Sequence, residues 1–346
     1  MEKSYRVSRF PILIVILSIV SVCVMLVSVV VGDVHISISQ AAKIFGSKIP
    51  WLHHHIHKES INHSFQLILL DIRFPRVILG FLVGGALAVA GAVMQGFFRN
   101  PMADPYIIGI SSGAALGGTI AITFSLHFRF LGFDSVPLMA FAGGLGITIL
   151  VYLISMRGGA IQPNILLLTG IALGAMVSGI TSAIMMIATQ DLNKVMFWLM
   201  GGLFAKNWAD VTIILPYLCV GYLVIFSFSR ELNAMLLGDD TAYHLGINVT
   251  RIRIILLAMS ALITSAAVSA SGIIGFIGLI VPHMMRLIVG ADHKKLLPVS
   301  ILAGGCLLVL SDLIARTMVA PLEVPVGVVT AFLGCPFFLF LLLKEV

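Results

Sequence analysis

The sequence predicts an all-α integral membrane protein of about ten transmembrane helices, and three observations predict it. Of its 346 residues, 59% are hydrophobic and only 10% are charged, with a mean hydropathy of +1.10. A soluble domain carries about 25% charged residues, most of them on its surface. Apolar runs of the ~20 residues that cross a ~30 Å hydrocarbon core recur from end to end. The 33 glycines and 16 methionines suit helices that approach closely in lipid. No stretch reads as a detachable soluble domain, so residues 1–346 form a single membrane domain.

The elements follow in chain order. Charged residues up to Arg9 precede an apolar run from Phe10 to Val31. That run is too long for a signal-peptide core, and no A-x-A-like site precedes Asp33. It is the first helix, 10–32. Residues 33–71 are polar and form an external loop that carries His53, His54, His55, His57 and His63. Helices follow over 76–97, 107–126, 137–156, 161–188 and 211–228, with Pro101, Asp104 and Pro105 punctuating an inner turn. A second polar stretch, 229–253, is rich in Leu, Ala and Gly, which predicts short helices packed on something. The last crossings are 252–270, 273–290, 296–315 and 325–343.

Ten crossings put both termini on one side. Of the 21 Lys and Arg, twelve then fall on the side of the termini and nine on the other, which favours cytoplasmic termini by the positive-inside rule. The segments from Arg76 and from Arg253 both run through small residues to a proline-containing turn, a hint of an inverted repeat.

Several function classes drop out. The net charge of +6 is scattered between apolar segments without interleaved aromatics, which argues against nucleic acid. Cys23, Cys219, Cys306 and Cys335 lie in apolar segments with no metal-ligand spacing. Imidazole binds Zn, Cu and Fe, but the His53–His57 cluster reads as a solvated loop, and no metal site is assigned. No H-E-x-x-H, G-x-S-x-G or paired intramembrane aspartates mark a membrane enzyme. No G-x-x-x-x-G-K-[ST] loop is present, so any ATP hydrolysis falls to another chain. An ion-coupled secondary transporter of a small solute remains the alternative, although such proteins carry ionisable residues near the midplane. The mid-helix stretches here are nearly free of them.

Six stretches carry a resemblance: RFPR at Arg73–Arg76, GGALAVAGAVMQGFFRNPMADPYIIGISSGA from Gly84, FWLMGGL from Phe197, LGDDTAYHLGI from Leu237, SGIIGFIGLIVPHMMRLIVGADH from Ser271, and DLIARTMVAPLEVPVGVVTAFLGCPFFLFLL from Asp312. In that order they span the chain, which resembles the FecCD-like permeases of ATP-binding-cassette importers for iron–siderophore complexes, haem and cobalamin. The resemblance implies the type II ABC importer permease fold. It also implies a bacterial inner-membrane location in lipid, pairing with a second copy, two cytoplasmic ATPase subunits that hold ATP and Mg, and an external substrate-binding protein. No cofactor is expected in this chain. An iron chelate is the first expectation for cargo, followed by cobalamin or haem; some members carry oxyanions.

The resemblance also suggests roles. Arginines at the positions of Arg73, Arg76 and Arg316 grip carboxylates on the binding protein, a task suited to planar, bidentate guanidinium. The competing reading pairs them internally, Arg73 with Asp71 and Arg316 with Asp312. Gly238, Asp239, Asp240, Ala242, Leu245 and Gly246 lie in the coupling helices that seat on each ATPase, and Asp239 and Asp240 could favour a helix start. Gln95 and Asn100 lie at the inner end of the second crossing, where the family's asparagine contributes to the cytoplasmic gate; Asn100 could equally start the turn before Pro101. Gly84, Gly85, Ala86, Ala88, Ala90 and Gly91 give a smooth face, read chiefly as packing.

Overall fold

The computed structural model describes residues 9–32, 34, 36–48, 62–130, 132–157, 160–188 and 191–345. The His53–His57 cluster lies outside the described residues. The helices are α1 (Arg9–Val30), α2 (Ile38–Lys48), α3 (His63–Leu67), α4 (Phe74–Phe98), α5 (Ile110–Thr123), α6 (Ser135–Ser155), α7 (Pro163–Ile187) and α8 (Leu192–Leu199). Then come α9 (Trp208–Ser227), α10 (Ser229–Leu236), α11 (Asp239–His244), α12 (Val249–Ser271), α13 (Ile277–Val289), α14 (His293–Thr317) and α15 (Val326–Glu345). Seven of them (α1, α4, α6, α7, α9, α12 and α14) are long and apolar enough to cross a membrane. The shorter apolar helices α5, α13 and α15 complete the ten expected segments. Two short antiparallel strand pairs, Arg129–Phe130 with Phe133–Asp134 and Met156–Arg157 with Ala160–Ile161, stand at the ends of α6.

Local chemistry sets the boundaries. Pro163 stands in the first turn of α7, where a missing N–H costs nothing, whereas Pro75 falls where the helix runs on into α4, and the Leu70 carbonyl in the preceding turn accepts from Trp208 Nε1 instead. Asn207 and Asp210 close a capping box on α9. Asn248 accepts from Arg251 N to cap α12, and Asp292 accepts from Lys294 N to cap α14.

Two features depart from the sequence reading. The stretch expected as an external loop, 33–71, is helical in much of its described part. Ala41 and Ile44 give α2 an apolar face that packs beside Val29 and Val77, while Phe45 meets the Phe74 ring edge-on at 5.6 Å. At the other end of the stretch, Asn62 caps α3, and a π-helical turn, Ile68–Arg73, runs directly into α4. The short helix α8 was not expected at all.

α4 is the axis of the bundle, enclosed by α14, α12, α13 and α9. Every residue from Val83 to Phe97 is buried, whereas α1 at the rim exposes Ile12, Val15, Ile19 and Val22. The small-residue face does pack. A Cβ on Gly84 would overlap the Gly304 carbonyl of α14, and one on Gly91 would overlap the Gly278 carbonyl of α13. Backbone contact this close is what small residues allow in lipid. Gly91→Ala must push α4 off α13, so thermal unfolding in detergent should register a loss of about 1–3 kcal/mol; an unchanged midpoint would mean the helices part freely.

Candidate functional sites at the two ends of the bundle

At 1.5 Å per residue, the 25 residues of α4 span roughly 37 Å, which puts Arg76 and Arg99 at opposite ends of the bundle. Each end carries a cluster of charge.

At the Arg76 end the three arginines point inward. Arg76 donates from Nε to Asp312 at 3.1 Å and from Nη2 to Asp312 Oδ1 at 2.8 Å. It also forks onto Glu323, from Nη1 at 3.0 Å and from Nη2 at 2.9 Å. Arg316 donates from Nη2 to the Ser28 hydroxyl at 2.6 Å and to the Ser28 carbonyl, and its Nε lies 3.6 Å from Asp312 Oδ2. Arg73 donates to the carbonyls of Val30 and Val34, both at 2.7 Å, and of Val29 at 3.3 Å. Asp312 is 1% exposed and the three arginines 5–8%. Of the internal pairs expected from sequence, Arg316 with Asp312 is present; Arg73 instead holds the end of α1. The same end gathers α1, α4, α14 and the 318–325 connection around one carboxylate.

At the opposite end the polar stretch 229–253 folds as expected into two short helices, α10 and α11. Gly238 and Gly246 bracket α11 with φ of +114° and +79°, backbone that a side chain would strain. Asp239 and Asp240 sit in the first turn, where carboxylates suit the helix dipole, but neither makes a side-chain cap. Asp239 instead takes both its oxygens to Arg253 Nη2 at 2.9 Å and lies 3.7 Å from Arg99. The Arg253 guanidinium stands over the Phe97 ring at 5.7 Å, a cation–π arrangement. Ala242 is fully buried against this platform, while Leu237, Tyr243 and Leu245 are 70%, 74% and 63% exposed and Asp240 is exposed beside them. A rigid base thus presents an apolar, acid-edged face.

Gln95 is buried and donates from Nε2 to the Leu279 carbonyl of α13 at 2.9 Å. Asn100 is exposed and accepts from Met102 N at 2.8 Å, starting the turn before Ala103. Sequence reasoning missed a third group here. Asn233 of α10 donates to Asp292 Oδ1 at 2.7 Å, while its own Oδ1 accepts from His293 N at 2.8 Å. Burial pushes the Asp292 carboxyl up, but the Asn233 amide, the Lys294 N–H and the ammoniums of Lys295 and Lys294 outweigh it and hold it below the usual range. The one sequence signal was Asp-His ahead of an apolar run, a helix-start pattern.

A ten-helix bundle with a small-residue axis and a clamped two-helix hook between α9 and α12 is a specific combination. The FecCD transport family matches residues 16–344 of this chain. The chain belongs to the FecCD transport family. This FecCD permease is 46% identical over 282 residues to the cobalamin import system permease protein of Halobacterium salinarum, covering 82% of this chain and 75% of that one. It is 45% identical over 293 residues to the hemin transport system permease protein of Yersinia pestis, covering 83% and 86%. A solved inward-facing structure of a metal-chelate type ABC transporter superposes with a TM-score of 0.82 at 30% identity, covering 96% of this chain and 99% of that one. The FecCD permease therefore has the type II ABC importer permease fold and is a multi-pass membrane subunit of an ABC transporter.

Proposed function

We propose that this FecCD permease pairs with a second copy to form the path of an importer for an iron chelate, haem or cobalamin, driven by two cytoplasmic ATPase subunits seated on α11. One observation carries the reading: Tyr243 and Asp240 of α11, with Leu237 and Leu245 just before and after it, are exposed on a helix fixed beneath by Ala242 and the Asp239–Arg253 pair. A rigid hook with an apolar tip suits a groove on a partner that moves. Relatives named for cobalamin, hemin and Fe(3+) dicitrate supply the cargo class. ATP and Mg belong to the ATPase, and the chain needs no cofactor of its own.

Orientation follows from the hook. Val29 and Val30 of α1 lie at the Arg73 end, so Arg9 lies at the α11 end. α15 returns from the Arg316 end to the same side, so both helix ends, 9 and 345, are cytoplasmic. The Arg76 end then faces the binding protein. There the buried arginines Arg73, Arg76 and Arg316 act by holding the end of α1 and the 318–325 connection, exposed over 318–322, in place for docking. At the cytoplasmic end, Gln95 and Asn100 mark the gate.

The test is transport in proteoliposomes holding the permease, its ATPase and its binding protein, with ferric citrate, haemin and cyanocobalamin offered in parallel. Uptake should vanish with a hydrolysis-dead ATPase and persist when proton and sodium gradients are collapsed; the reverse pattern would establish the secondary transporter. Tyr243→Asp with Leu245→Asp should weaken copurification of the ATPase by at least ~10-fold, since buried aromatic and aliphatic anchors dominate such contacts. Undiminished copurification would remove α11 from the interface.

A further inference from the structure

The cytoplasmic end of α4 is gripped from two sides, and one grip has no assigned role. Leu232 of α10 and His293 of α14 are both fully buried and both press on Gly96. A Cβ built on Gly96 would lie 2.8 Å from His293 Nε2 and 3.3 Å from Leu232 Cδ2. The imidazole is aimed by Asn233 of α10, whose Oδ1 lies 2.8 Å from His293 Nδ1 and also accepts from the His293 backbone N–H. An amide carbonyl accepts only, so Nδ1 carries the proton and Nε2 faces α4. Asn233 completes the bracket by donating to Asp292, the cap of α14. Gly96 is flanked by Gln95, bonded to Leu279 of α13, and by Phe97, under Arg253.

We propose that Asn233, His293 and the bare backbone of Gly96 form a transmission contact through which displacement of α10 moves the cytoplasmic end of α4, and with it Gln95 and the turn at Asn100. The proposal rests on the seating of the ATPase on α11 proposed above, α10 being the other arm of the same hook. Asn233 and His293 are positioning residues. The ring fills the space between two helices, and no slack separates it from α4, because Gly96 admits the ring to backbone contact. Close-packed contacts of this kind shift as units and do not deform continuously. When the hook is pushed, α14 and α4 must follow.

The contact makes a steric prediction that a merely structural role does not. In proteoliposomes with the ATPase and binding protein, Gly96→Ala should leave ATPase copurification intact and hydrolysis within about twofold of wild type. Cargo moved per ATP should fall about tenfold, within the usual range of coupling between sites. His293→Asn shortens the side chain yet keeps a donor for Asn233 Oδ1. Added to Gly96→Ala, it should restore at least half of the lost ratio. Asn233→Ala, which frees the ring without adding bulk, should lower the ratio while hydrolysis continues. A wild-type ratio in both Gly96→Ala and Asn233→Ala, or a double variant no better than Gly96→Ala, would overturn the relay. Failure of the coupling reading itself looks different: the Tyr243 and Leu245 variants would then retain the ATPase.

Discussion

Asp312→Ala should be the most destabilising single substitution at the Arg76 end of the bundle, costing about 3–5 kcal/mol. The carboxylate is 1% exposed and faces two guanidiniums, Arg76 at 2.8 Å and Arg316 at 3.6 Å. Its removal leaves Arg316 buried with Ser28, and Arg76 with Glu323, as the bonded partners among the described residues. Breaking a buried pair strands a charge that cannot return to water, and that penalty exceeds the worth of the pair itself. Asp312→Asn should cost less, because the amide oxygen still accepts from one guanidinium. Glu323→Ala should cost least of the three, since that side chain is 26% exposed and water can replace it. Thermal unfolding of the detergent-purified permease gives the ranking directly; an Asp312→Ala protein as stable as the Glu323→Ala protein would show that the cluster is not the fastening the geometry implies. The same reasoning changes how the arginines must be tested. Reversing the charge of Arg73, Arg76 and Arg316 together would empty three internal sites at once, so lost docking would report a lost fold. Substitutions at the exposed residues 318–322, which leave Glu323 in place, test docking cleanly.

What the sequence made legible depended on range. The ten apolar segments were readable because hydrophobicity over ~20 residues is a property of each segment alone. The Arg316–Asp312 pair was readable because i,i+4 residues share a helix face, while Arg73 and Asp71, two apart, point to different faces and could not meet. Arg76 finds Asp312 across 236 positions, and Asn233 finds His293 across 60; no local pattern carries either. Asp239 was placed correctly at a helix start, but its carboxylate prefers a two-oxygen bond to a guanidinium over capping free N–H groups, and that partner became visible only when α12 folded back. The polar loop hid α2 because its apolar face is short, and α8, between α7 and α9, went unread because eight residues give too little periodicity.

Asp239→Ala should disconnect the two engines of the transporter. Arg253 has 7% of its side chain exposed and is held by both oxygens of Asp239 on one side and by the Phe97 face on the other. Without the carboxylate, α11 keeps the exposed face proposed to seat the ATPase, but its tie to α12 and to the end of α4 is gone. ATP hydrolysis should continue while cargo moved per ATP drops about tenfold or more. Asp239→Asn retains shape and one acceptor and should fall between. Arg253→Lys should resemble Asp239→Ala, because a compact ammonium lacks the planar fork that reaches Asp239 and the Ile161 carbonyl while covering the Phe97 ring. Asp240→Ala is the contrast. Asp240 is exposed and bonded to none of this platform, so its loss should weaken ATPase binding and spare the ratio. If Asp239→Ala and Asp240→Ala behave alike, α11 acts by contact alone. If they separate, the force crosses from the ATPase through one buried guanidinium, and the rigidity of that residue sets how much hydrolysis becomes movement.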